Sequence, residues 1–85
     1  MTTPSVPSIG RDVHYMSRGS ADGVFASVCR AAKVTEVGPG GRLGLAVFNP
    51  DGLYFHPLTK DWGVAHDGGE EPAGGTWHWP ERDEV

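Results

Sequence analysis

The 85-residue chain holds a single cysteine, Cys29, so no internal disulfide staples the fold. A reducing compartment is the default for such a chain. Basic residues are scarce: 7 Lys and Arg face 11 Asp and Glu, for a formal charge of −4. Proteins bind long polyanions by neutralising phosphates with Lys and Arg, so this balance argues against long nucleic acid as a partner. It leaves room for a small anion gripped by one or two arginines. Long apolar runs are missing too. The longest, residues 43–48, contains Gly44 and falls far short of the roughly 20 residues that cross a bilayer. Residues 1–10 carry no basic segment followed by an apolar one, so no secretory leader and no membrane association are expected. A cytoplasmic protein is the resulting expectation. Internal repeats and heptads are absent as well.

Turn-forming residues are abundant, with 13 Gly and 7 Pro. So many breaks in so short a chain leave no place for a long helix. A domain of this size buries only about 60% of the surface its unfolded chain exposes, so a partner subunit would help, and a homo-oligomer is expected. The organisation reads as an extended lead-in over 1–10, a small β domain over 11–80 and an acidic tail over 81–85.

Within the domain, residues 11–17 alternate as a first strand, with Val13, Tyr15 and Ser17 on one face and His14 and Met16 on the other. A flexible polar loop follows over 18–23. Residues 25–37 form the longest ordered segment. Its Ala and Arg favour helix, but Val34, Thr35 and Val37 are β-branched and alternate at period two, so a long bent strand is predicted. The glycine turn at 38–41 reverses the chain into a strand over 43–49, apolar on both faces and therefore central. Asn49-Pro50-Asp51-Gly52 is a strong turn sequence leading to a strand over 53–58, where Pro57 marks an end or an edge. Residues 59–75 read as a long polar loop, with a candidate short strand at 63–66. Thr76-Trp77-His78-Trp79 closes the set before Pro80. The expected fold is all-β, a five-stranded antiparallel SH3-like barrel whose closure removes exposed edges.

Candidate functional residues are few. Trp77 and Trp79 share a face, either plugging the barrel end or forming a stacking platform for a planar ligand. His14 and His78 each sit beside an aromatic residue, either as ordinary solvent-facing strand residues or across a polar groove between the first and last strands. No two of His14, His56, His66 and His78 stand at the short spacings typical of zinc sites, so neither metal nor another cofactor is expected. Cys29 lacks a sequence motif supplying a base or oxyanion site, so it reads as a small buried hydrophobe. Ser20 and Ser27 likewise lack an activating motif. Arg30 is a candidate for an ion pair with Glu36 or Glu81, or for an anion contact. With no nucleophile–base set and no paired carboxylates, a binding module is expected rather than an enzyme.

The blocks Ile9-Gly10-Arg11-Asp12-Val13-His14-Tyr15, Cys29 through Val37, Gly44 through Pro50 and Gly74-Gly75-Thr76-Trp77-His78-Trp79-Pro80-Glu81 form a pattern along nearly the whole chain. This pattern resembles a group of small actinobacterial and actinobacteriophage proteins, the closing Thr-Trp-His-Trp-Pro block being its specific part. The resemblance implies a phage or prophage accessory gene acting in the bacterial cytoplasm, and it brings no catalytic residue. From that origin, one expectation is an oligomeric sponge that sequesters a nucleotide-type signal of host defence. Tyr15, Trp77 and Trp79 would stack on bases, Arg18 and Arg30 would hold phosphate, and His14 and His78 would line the site. The alternative is a protein-interaction module, either a virion accessory protein or an inhibitor of a host enzyme.

Overall fold

A computed structural model describes residues 6–19 and 26–80. Ser20, most of the expected flexible loop, Phe25, residues 1–5 of the lead-in and the acidic tail at 81–85 lie outside the described residues. Among the described residues six strands form: β1 (Asp12–Met16), β2 (Cys29–Val37), β3 (Leu43–Asn49), β4 (Gly52–His56), β5 (Ala65–His66) and β6 (Thr76–His78). They make one sheet in the order β4-β3-β2-β1-β6-β5, antiparallel except for the β5–β6 pair. No α-helix occurs among the described residues, and none of their helices is long and apolar enough to cross a membrane.

The chain is all-β, as its alternation and turn content imply. In place of five strands closed into a barrel there are six in an open sheet. The sixth is the two-residue β5, which pairs in parallel with β6 at the sheet edge. A single bridge curls the sheet back on itself: the Leu43 amide donates to the Val64 carbonyl at 3.1 Å, and the Val64 amide to Leu43 at 2.8 Å. The bridge depends on a tight approach. Asp61, Trp62 and Gly63 all adopt positive φ, and a Cβ on Gly63 would lie 2.6 Å from Leu58 Cδ2 and 2.9 Å from the Leu43 oxygen. Only glycine takes that position without displacing backbone.

The core follows the period-two pattern. Val13 and Tyr15 from β1, Ala32 and Val34 from β2, and Leu43, Leu45 and Val47 from β3 pack with Val64 and Trp77. Trp77 is 0% exposed, and its indole N–H donates to the Gly41 carbonyl at 3.0 Å. It thereby ties β6 to the Pro39–Gly41 turn. Trp79 packs edge-to-face on Trp77 at 5.8 Å and is only half-buried, with the Arg11 guanidinium 5.6 Å from its ring. The last residues of the lead-in join the fold. Pro7 is buried, and the Gly10 amide donates to the Val34 carbonyl at 2.8 Å.

On β4 the more apolar face turns outward. The hairpin register pairs Tyr54 with Val47 and His56 with Leu45, which aims Tyr54 and His56 at the core side. Leu53 and Phe55 therefore face solvent, Phe55 at 63% exposure. The 59–75 segment is held by local hydrogen bonds. The Asp67 carboxylate accepts from the Gly69 and Ala73 amides at 3.1 and 3.0 Å, and Thr76 Oγ1 donates to the Ala73 carbonyl at 2.6 Å.

Trp77→Ala should cost about 3–5 kcal/mol in urea unfolding, the range for emptying a fully buried aromatic site. Trp79→Ala should cost less than half as much, and equal losses would mean both rings are equally part of the core. The Ala73 amide, and then Gly69, hold the Asp67 carboxyl below the ordinary 3.8. A carboxylate lowered in the folded state adds stability above its unfolded pKa and loses it as pH falls through the folded one. The melting-temperature gap between wild type and Asp67→Asn should therefore be clear at neutral pH and vanish well below 3.8.

Candidate functional site

Strand alternation divides β1 between two environments. Val13 and Tyr15 point to the core face, while Asp12, His14 and Met16 point to the outer face. Each face carries a cluster of polar side chains.

The core-face cluster surrounds a cavity of about 280 Å³ at one end of the sheet. Tyr15, Arg18, Asn49, Tyr54, His56 and Lys60 line it over a floor that includes Val47, and among the described residues no carboxylate lines it. In a chain of net charge −4, this is a local concentration of positive charge and phenol groups. The Lys60 ammonium donates to the Tyr54 hydroxyl at 2.9 Å and lies 5.2 Å from the centre of that ring. The hydrogen bond, helped by the charge on Tyr54 when ionised, raises the Lys60 pKa. Lys60 is thus a firm cation at physiological pH.

Burial is the main cause that raises the Tyr15 pKa, followed by repulsion from an ionised Tyr54, with Arg18 opposing both. Tyr15 remains a neutral phenol with a proton to donate. Its ring lies 6.4 Å from that of Tyr54, which in turn meets His56 edge-on at 6.1 Å. His56 is 3% exposed, and its Nδ1 lies 3.2 Å from the Pro57 carbonyl. A carbonyl only accepts, so Nδ1 carries the proton.

Arg18 reaches this wall because two glycines give way to it. A Cβ on Gly75 would lie 2.6 Å from the Arg18 Nε, and one on Gly74 would lie 2.9 Å from the Arg18 Cα. The Gly75 amide donates to the Met16 carbonyl at 2.6 Å, which fixes the crossing of the two segments.

The outer-face cluster joins three strands. His14 of β1 stands directly opposite His78 of β6, and Cys29 opens β2 opposite Met16. The His14 and His78 rings meet edge-on at 5.5 Å, and Cys29 Sγ lies 3.6 Å from His78 Nε2. The possible ligand atoms of all three residues fall within 4.8 Å of one another. His78 is 4% exposed although it points away from the core, so it is not an ordinary solvent-facing strand residue. Cys29 is exposed and not the buried hydrophobe expected. Cross-strand pairing gathers these ligands from positions 14, 29 and 78, a proximity that spacing along the chain does not reveal.

The residues expected to form one site are therefore dispersed. Tyr15 and Arg18 belong to the cationic cavity, and His14 and His78 to the opposite face. Trp77 is sealed in the core and offers no stacking surface. Trp79 is covered in part by Arg11 and the lead-in. Arg30, half-buried, stands beside Tyr15 in register, and its Nε is buried without a hydrogen-bond partner among the described residues. Sequence reading missed Tyr54, His56 and Lys60. The tight turn at 49–52 carried a usable signal for the first two, because a short hairpin fixes which residues oppose Leu45 and Val47. None of the family models, curated proteins or solved structures compared with the chain matches it.

Proposed function

We propose that the protein is a binding module that captures a small anionic ligand carrying a planar ring, of nucleotide type, in the cavity between β1 and β4. One observation carries this reading: Arg18 and Lys60 face a single cavity alongside Tyr15 and Tyr54, with no carboxylate lining it among the described residues. Arg18 and Lys60 supply charge-assisted donors for phosphate, which bind about twice as strongly as neutral ones. Tyr54 offers a half-buried ring face, and the neutral Tyr15 hydroxyl a further donor.

A volume of about 280 Å³ sits at the lower end of small-molecule sites, which suits a mononucleotide or half of a dinucleotide. A second copy of the chain would enclose the remainder, which is the role of the expected homo-oligomer. The body that presents this cavity is an SH3-like roll of the open six-stranded sheet, a reading supported by its curl at Leu43–Val64. In a phage or prophage setting, as the sequence resemblance implies, such a module acts as a sponge in the host cytoplasm, withdrawing a nucleotide signal of defence without turning it over.

A second reading rests on a different observation. Phe48, Leu53 and Phe55 are exposed together on the outer face of β3 and the edge strand β4. This favours a protein-interaction module, with a host or phage protein laid over that patch.

Thermal-shift measurements with mononucleotides, cyclic dinucleotides and cyclic ADP-ribose isomers separate the two. A ligand at about 100 times its dissociation constant adds about 2.7 kcal/mol, a rise of many degrees in a domain this small. Arg18→Ala and Lys60→Ala should each weaken binding about tenfold or more, since a hydrogen bond to a charged group is worth about 1.5–3 kcal/mol. Recovery of the nucleotide intact separates capture from catalysis. If no nucleotide shifts the melting temperature, and Phe55→Lys abolishes capture of a partner protein from infected cells, the second reading replaces the first.

A further inference from the structure

On the face of the sheet away from the nucleotide cavity, we propose that His14, Cys29 and His78 bind one zinc ion. Three protein ligands would hold it, with water in the fourth position. The inference stands apart from the nucleotide reading and shares no residue with it.

The geometry is close to that of a tetrahedral zinc site. Zinc lies about 2.3 Å from a thiolate sulfur and about 2.0–2.1 Å from an imidazole nitrogen, which at the tetrahedral angle puts sulfur and nitrogen about 3.6 Å apart. Cys29 Sγ and His78 Nε2 are already separated by 3.6 Å. The widest separation within the cluster is 4.8 Å. Closing that gap takes about 1.2–1.4 Å of movement, which a rotation of about 25° about χ1 gives an imidazole Nε2 without leaving its rotamer well.

The backbone under the cluster is preorganised. β1 is hydrogen-bonded to β2 on one side and β6 on the other, so the three ligand positions sit in fixed register. Sites built on paired strands hold their geometry better than sites on loops. The donor set points to the metal class. One thiolate and two imidazoles suit borderline-soft ions, and among the described residues no carboxylate joins the cluster to favour magnesium or calcium. Burial sets the open side. His78 is buried, His14 half-buried and Cys29 exposed, so the site has a closed floor and a mouth at the sulfur, where water completes the coordination. Binding forms one Zn–S and two Zn–N bonds in place of bonds from the hydrated ion to water. The displaced water and the Cys29 thiol proton leave for solvent, while one water stays bound.

The test uses the untagged full-length chain, stripped with a chelator and dialysed into metal-free buffer. Titration with zinc against a chromophoric chelator should give one equivalent bound. Losing a residue that merely orients a ligand costs about 10–100-fold in affinity, so losing a ligand in Cys29→Ser should cost at least about 100-fold. Cys29 is exposed, so the metal-free Cys29→Ser protein should melt with metal-free wild type, which separates loss of a ligand from loss of fold. His14→Ala should repeat the loss of affinity, and His66→Ala, an exposed histidine outside the cluster, should leave it unchanged. Cobalt(II) in place of zinc should give a sulfur-to-metal charge-transfer band in wild type that is absent from Cys29→Ser. Zinc should also slow modification of the Cys29 thiol by a disulfide reagent. Binding far from one equivalent, unchanged affinity in Cys29→Ser, no charge-transfer band, or a thiol that reacts equally fast with and without zinc would each overturn the proposal.

Discussion

The burial of Trp77 is the interaction on which the rest of this small structure depends. Few residues are available to build a core, and this indole is the largest side chain wholly withdrawn from water. It stands opposite Tyr15, carries Trp79 and His66 against its ring, and sends its one polar hydrogen to Gly41. Strand β6 has only three residues, too few to hold itself in a sheet by backbone pairing alone. The indole anchors it. Once β6 is fixed beside β1, His78 is fixed opposite His14, and the segment leading into β6 is held where Arg18 crosses it.

A second theme is how β1 serves both faces. The strand has five residues, yet it has neighbours on both edges and contributes to both polar clusters. Tyr15 goes to the cationic cavity and His14, one residue earlier, to the thiol–imidazole group. Period-two alternation keeps the clusters on opposite sides of the sheet, so their chemistries stay separate although they share a strand. A one-residue slip of β1 would exchange Tyr15 for His14 and disrupt both.

The fold class and most strand positions were legible because alternation and turn residues are local signals. The strand at Leu43–Asn49 has the bounds its composition implies and lies between β2 and β4 inside the sheet, although Phe48 on its outer face stays exposed. The open sheet was not legible. The bridge between Leu43 and Val64 joins residues far apart in sequence, and although 63–66 was a candidate strand, nothing local says that Ala65–His66 pairs in parallel with β6. The orientation of β4 went the other way from its hydropathy. Register from the hairpin outweighed the preference of Leu53 and Phe55 for the interior. The sites were least legible of all. Trp77 was a candidate for both core and ligand roles, and only its burial decides between them. The gathering of His14, Cys29 and His78 arises from cross-strand neighbours, which no spacing rule along one chain encodes.

The Gly74-Gly75 pair has a wider meaning. Its absent side chains leave the space that Arg18 occupies, so the block that looks like a core signature also shapes the cavity wall. Directed evolution of this scaffold toward a new specificity would find the two segments epistatic. Any side chain introduced at Gly75 must tolerate its positive φ as well as be matched by a shorter residue at 18, and retaining Arg18 confines the search to the β4 side of the cavity.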